Sequence, residues 1–138
     1  MKKIFTIISL SFFVSSFTWF WESEPKLYTN INNTELQQLL KKGVPLIDIR
    51  LPEEWRQTGV IKGSTKMTLF GRNGRMVQSF LPRFTKLDKN KPVILICKTG
   101  SRSKVASKFL AEKLGYKKIY NVKNGIFGWL KDKLPVVR

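Results

Sequence analysis

Short apolar runs alternate along this chain with segments in which apolar residues return every three or four positions. The runs at 26–31, 44–49, 92–96 and 118–122 are bounded by turn residues and predict strands. Residues 26–31 suit an edge position. Residues 92–96 end in Val-Ile-Leu-Ile, the composition of a parallel strand buried on both faces. Between the runs lie helical patterns. Residues 33–42 place Leu36, Leu39 and Leu40 on one face, with Thr34 and Gln37 at capping-box spacing and Gly43 as the stop. Residues 52–57 form one or two helical turns opened by Pro52. Residues 76–87 predict a helix, although Pro82 stands in its middle. Residues 103–114 set Val105, Ala106, Phe109, Leu110 and Leu114 at helical spacing, and Gly115 ends them. A last short helix, Gly125–Lys131, carries Ile126, Phe127 and Trp129. Residues 59–64 read as an extended segment between glycines, and 71–74 as a turn.

Strands that alternate with helices imply an α/β fold with parallel pairing through right-handed crossovers. Sites in such open sheets lie at the carboxyl ends of the strands. Cys97 ends one predicted strand and Asp48-Ile49-Arg50 ends another, so both belong on the same rim.

The first residues break this alternation. Lys2 and Lys3 precede residues 4–21, which contain no charge, glycine or proline. This reads as an export signal, with small residues for cleavage at Ser16. The run is also long enough to serve as a retained membrane anchor, with Trp19, Phe20 and Trp21 at the interface. A buried N-terminal helix is the plainer alternative. The division expected is therefore a leader at 1–22 and one domain at 24–138. Either leading option places the domain outside the cytoplasm, in a periplasm, free or anchored to the inner membrane. No cysteine follows the run, so a lipoprotein is not expected.

Composition suits one globular domain, at 42% apolar and 25% charged residues. The net charge is +17, carried mostly by lysine. Attraction of small anions, or adhesion to an anionic polymer or to lipid headgroups, is one reading. A solvated lysine-rich surface is the plainer one and is preferred. No nucleic-acid motif is present, and nucleic acid is not an expected partner.

Cys97 is the single cysteine, and there is no histidine. An internal disulfide is thereby excluded, and an unpaired cysteine in an exported protein is intermolecular or reactive. A lone cysteine is more commonly a small buried hydrophobe. Here it opens Cys97-Lys98-Thr99-Gly100-Ser101-Arg102, between a predicted strand and a predicted helix. Turn amides and a helix N-terminus favour an anion at that position. Lys98 and Arg102 would attract and orient an anionic ligand; the plainer roles are a solvated Lys98 and an Arg102 that braces the loop. Asp48 and Arg50 are expected as braces behind the rim, with Arg50 pairing to Glu53 or Glu54. Trp55 and Trp129 are expected to pack.

Four stretches in order resemble the rhodanese family of sulfurtransferases. They are Leu46-Ile-Asp-Ile-Arg50 with Glu53-Glu54-Trp55, Gly59-Val-Ile-Lys-Gly-Ser64, Cys97 to Ser103, and Asn121-Val-Lys-Asn-Gly125 followed by Gly128-Trp129. A small exported domain of this kind is similar to the phage-shock type. The resemblance implies a three-layer α/β/α fold with a five-stranded parallel sheet. It implies a Cys97 persulfide, formed from thiosulfate or a similar small anionic donor and discharged to cyanide or a thiol. Residues Lys98, Thr99, Gly100, Ser101, Arg102 and Ser103 would form the loop around it. No cofactor or metal is implied. Val60 stands where the family commonly has histidine and Lys62 where it has proline; the histidine is mainly structural there. Asn124 occupies a common glycine position, which a left-handed backbone would allow.

A phosphatase is the nearest enzymatic rival, but its loop is C-x5-R, whereas Cys97 to Arg102 is C-x4-R. A thiol–disulfide oxidoreductase lacks its C-x-x-C. A non-catalytic binding module on the same fold is the rival from a different class. Oligomeric state does not follow from the sequence.

Overall fold

The computed structural model describes residues 26–138, so the leader expected at 1–22 lies outside the described residues. The elements in chain order are β1 (Tyr28–Ile31), α1 (Asn33–Lys41), β2 (Leu46–Asp48), α2 (Pro52–Thr58), β3 (Thr65–Lys66), α3 (Phe80–Phe84), β4 (Val93–Ile96), α4 (Ser101–Leu114), β5 (Ile119–Val122) and α5 (Gly125–Lys131). The five strands form one sheet in the order β1-β5-β4-β2-β3, and every pairing is parallel. β1 is an edge strand, as its sequence predicts.

Alternation along the strands divides the core in two. Ile47, Ile49, Val93, Leu95, Cys97 and Ile119 face a cluster with Phe80, Phe84, Ala106, Leu110 and Tyr116, from α3, α4 and the loop after α4. Leu46, Ile94, Ile96 and Val122 face the opposite cluster, with Leu36 of α1 and Ile126 and Trp129 of α5. Both faces of β4 are therefore sealed, and each of its four side chains is buried. Burial of such a side chain contributes about 1.5–3 kcal/mol. Cys97 follows Leu95 on the same face, which directs its sulfur toward α4.

Four local expectations change. α1 is capped by Asn32, whose side chain accepts from the Glu35 amide while Glu35 reaches back to the Asn32 amide, so the box is Asn32–Glu35 and not Thr34–Gln37. The helix expected over 76–87 contracts to Phe80–Phe84. Pro82 sits in its first turn, where a missing N–H costs no intrahelical bond. Residues 59–64 form a turn with one bridge, Val60 to Val137, and the strand lies just beyond at Thr65–Lys66. Both side chains of that strand are exposed, so no apolar period marks it. α4 begins at Ser101 and not at 103. Among the described residues, no helix is long and apolar enough to cross a membrane.

Candidate active site at the Cys97 loop

The loop from Cys97 to Arg102 joins β4 to α4 at the carboxyl end of the sheet. Its neighbour on the rim is the end of β2, because Asp48 pairs with Ile96 and the Ile49 amide donates to the Ile96 carbonyl at 3.1 Å. The sequence places these two groups together, and the structure agrees.

Gly100 makes the loop turn directly into the helix. Its φ of 97° is left-handed, and a Cβ there would collide with the carbonyl oxygen of Lys123. Gly100 is the N-cap residue of α4 but has no side chain to cap with. The third residue of a helix normally gives its amide to the N-cap side chain. In α4 that residue is Ser103, and its amide points at Cys97 Sγ at 3.4 Å. The Gly100 amide also donates to Sγ at 3.2 Å, and the Ser103 hydroxyl lies 3.2 Å from it. The sulfur thus fills the place of the missing cap, at the positive end of a 14-residue helix. Two amides, a hydroxyl and a helix dipole converge on one atom, an arrangement that stabilises negative charge on sulfur.

Outward-facing carbonyls complete the loop. The amides of Ile126 and Phe127, in the first turn of α5, donate to the carbonyls of Cys97 and Lys98 at 2.9 and 3.1 Å. Gly125 allows this approach: its φ is 59°, and a Cβ would collide with the Lys98 carbonyl. The left-handed residue in this turn is Gly125, whereas Asn124 has φ −105°. Asn124 therefore needs no left-handed tolerance, contrary to the expectation from sequence. Asn121 lies beneath the loop, its amide 2.9 Å from Asn30 Oδ1 and 3.5 Å from the Gly100 carbonyl.

Arg102 is occupied by another side chain. Its two terminal nitrogens donate to the two oxygens of Glu54, each at 2.7 Å, which ties the loop to α2. Glu54 also accepts from the Leu51 amide. The Arg102 hydrogen bond, with help from Leu51 and against a cost of burial, holds the Glu54 carboxyl below its usual range. Glu54 in turn pushes the Arg102 guanidinium upward, and the nearby Cys97 and Asp48 add to that shift. Lys98 reaches the other way, its Nζ 4.9 Å from the centre of the exposed Phe127 ring. Thr99 and Ser101 are exposed, with hydroxyls 3.4 Å apart.

Arg50 does not pair with Glu53 or Glu54. It is fully buried and makes a two-point contact with Asp48, Nε to Oδ1 at 2.9 Å and Nη2 to Oδ2 at 2.8 Å. Its remaining hydrogens reach Thr58 Oγ1 and the Gly59 carbonyl, closing the end of α2 onto the end of β2. The partner of Glu53 is Arg72. Spacing along one segment suggested the Arg50 pairing, but the acids of α2 turn toward loops that follow other strands.

Cys97 has no exposed surface. A polar groove of about 490 Å³ lies on the outer side of the loop, lined by Thr99, Asn124, Phe127 and Lys131 among others. Glu54 and Asn121 are the residues that sequence reasoning missed as supports of the loop. Glu54 carried a weak signal as an acid one turn into a helix on the correct rim; a polar Asn121 inside an apolar strand was the signal for the other.

Comparison with known proteins agrees with the fold. Residues 32–132 match the family model of the Rhodanese-like domain. A protein of Allochromatium vinosum named Sulfurtransferase is 29% identical over 114 residues, 80% of this chain and 96% of that protein. Rhodanese-like domain-containing protein 17 of Arabidopsis thaliana is 31% identical over 83% of this chain and 75% of its own length. Among solved structures, the polysulfide-sulfur transferase homodimer of Wolinella succinogenes superposes with a TM-score of 0.64 at 31% identity, covering 80% of this chain and 79% of that one.

Proposed function

The chain belongs to the rhodanese-like family, and we propose that it is a sulfurtransferase working through a Cys97 persulfide and exported by way of its N-terminal run. The observation that carries the reading is the convergence of the Gly100 amide, the Ser103 amide and the Ser103 hydroxyl on Cys97 Sγ. The thiolate attacks the outer sulfur of thiosulfate. The sulfur–sulfur bond of the donor breaks, sulfite leaves with the electron pair, and Cys97 carries the sulfur as a persulfide anion. Cyanide or a thiolate then takes that sulfur, leaving as thiocyanate or as a persulfide, and Cys97 returns as thiolate. Charge balances in both half-reactions, and no base need take a proton. The absence of histidine is compatible with such chemistry. The two half-reactions predict ping-pong kinetics.

Loop amides act on the anion throughout, as an oxyanion hole does. Gly100 and Gly125 hold those amides inward by allowing the carbonyls to face β5 and α5. Lys98 and the Arg102–Glu54 pair stand at the mouth, and opening of that pair admits the donor. Lys98 then supplies positive charge as a point contact, and Arg102 a planar one. Lys2, Lys3 and the uncharged apolar residues 4–21 support the reading of export, with anchorage to the inner membrane if the run is retained.

Thiosulfate:cyanide turnover by the full chain tests the reading. We expect thiocyanate formation with parallel double-reciprocal lines, and none from Cys97→Ser. Turnover that survives in Cys97→Ser contradicts the mechanism. A wild-type chain that transfers no sulfur from thiosulfate or polysulfide favours the non-catalytic binding module.

A further inference from the structure

Because all five strands are parallel, the loops that enter them share one end of the molecule, opposite Cys97. Each of these five loops carries an exposed lysine: Lys26 before β1, Lys42 before β2, Lys62 before β3, Lys91 before β4 and Lys118 before β5. The loop before β4 also carries Lys86 and Lys89, the loop before β5 also carries Lys117, and Lys41 ends α1 beside Lys42. Among the described residues of these loops Asp88 is the acidic one, and its carboxylate accepts from the Asn90 amide; Glu22 and Glu24 precede Lys26 in the sequence. The three ion pairs of the described residues, Asp48–Arg50, Glu53–Arg72 and Glu54–Arg102, all stand at the other end. Lysines of the entering end thus have no carboxylate partner among the described residues. Charge left unneutralised at one pole is an electrostatic footprint for an anionic surface.

The sequence before Lys26 indicates which surface. Residues 4–21 are uncharged and apolar, and four residues, 22–25, separate them from Lys26. A chain of that length spans at most about 18 Å. Any membrane that holds residues 4–21 therefore lies within about 18 Å of Lys26, at the lysine pole. Leu27, exposed beside Lys26, adds an apolar contact at the same place. We infer that the lysine pole docks on an anionic phospholipid surface, which directs the Cys97 loop away from the bilayer toward soluble donors and acceptors. Polybasic surfaces bind anionic leaflets additively, by about fivefold for each lysine within a Debye length.

Lysine acylation, read residue by residue by mass spectrometry, tests this on the full chain. The chain is bound to phosphatidylcholine vesicles with or without phosphatidylglycerol. Lys42, Lys91 and Lys118 are expected to react at least about fivefold more slowly on the anionic vesicles. Lys98 and Lys123, at the far end, are expected to react equally on both. Salt that shortens the Debye length to ~3 Å should remove the protection. The triple variant Lys42→Glu, Lys91→Glu, Lys118→Glu should lose the dependence on phosphatidylglycerol while its thiosulfate turnover in solution stays unchanged. Equal labelling on both vesicle types, or protection centred on Lys98 and Lys123, overturns the inference. Stronger shielding by duplex RNA than by the anionic vesicles also overturns it, in favour of a different polyanion.

Discussion

The two ends of one parallel sheet solve opposite electrostatic problems. At the carboxyl end, three arginines are matched to carboxylates, two of the three pairs partly or fully buried, while Lys98 and Lys123 stand exposed without an ion pair among the described residues. At the amino end, lysines stand exposed without carboxylate partners among the described residues. Pairing fixes geometry, because a two-point arginine–carboxylate contact specifies distance and plane together. Unpaired lysines fix nothing locally and act at long range. The ion pairs of the described residues are confined to the end where the Cys97 loop is held in place, and none is found at the other. Charge count alone, +17 for the whole chain, hides this division.

The largest effect that can break this contrast comes from the sulfur itself. Cys97→Ser should reduce thiosulfate turnover to background, measured as thiocyanate, while the thermal midpoint changes little because the hydroxyl can accept the same amides. Next in size is Gly125→Ala. An alanine at φ 59° costs about 1–3 kcal/mol before any collision. The new methyl also meets the Lys98 and Cys97 carbonyls, so the loop must move. A fall of roughly 100-fold in kcat/KM is expected, together with a lower midpoint, since small displacements of a catalytic group carry costs of that order. Unchanged kinetics would show that the loop does not need the β5–α5 turn to hold it.

Glu54→Gln is expected to have a smaller effect, about tenfold in kcat/KM, by leaving the Arg102 guanidinium one uncharged acceptor oxygen in place of a two-point contact with a carboxylate. The same pair has a pH signature. Because Arg102 holds the Glu54 carboxyl below its usual range, the pair's contribution is complete above that range and is lost as pH falls through the lowered value. Alkylation of Cys97 should therefore show an added acid-side change in accessibility in the wild type that Glu54→Gln lacks. Matching pH profiles in the two proteins would return Arg102 to a surface role. At the other pole, Lys42→Ala and Lys91→Ala should each leave the midpoint within about 0.5 kcal/mol and turnover unchanged. A loss of activity there would erase the distinction between the ends.

Much of the carboxyl end is legible in the sequence, because its determinants are local. Cys97 at a strand end, Gly100 in the turn and a helical period from Val105 onward place the thiol, the amides and the helix dipole without long-range information. Apolar β4 and the Leu36–Leu40 face give the layers for the same reason. What sequence reasoning missed depends on contacts between distant segments. Arg102 meets Glu54, 48 residues away, and Glu53 meets Arg72 from the loop after β3. The Arg50–Asp48 contact crosses a single residue, yet nearby Glu53 and Glu54 were equally plausible partners until the direction of α2 was known. β3 escaped detection because an exposed two-residue strand has no apolar period to read. The lysine pole required the topology: its members are scattered from Lys26 to Lys118, and only parallel pairing gathers them.

Intact-mass measurement of the full chain, before and after thiosulfate, bears most directly on whether the buried sulfur is a working nucleophile. A gain of one sulfur atom, removed by dithiothreitol and absent in Cys97→Ser, is the expected result. An unchanged mass after exposure to thiosulfate and polysulfide, in protein whose fold is intact, would contradict it.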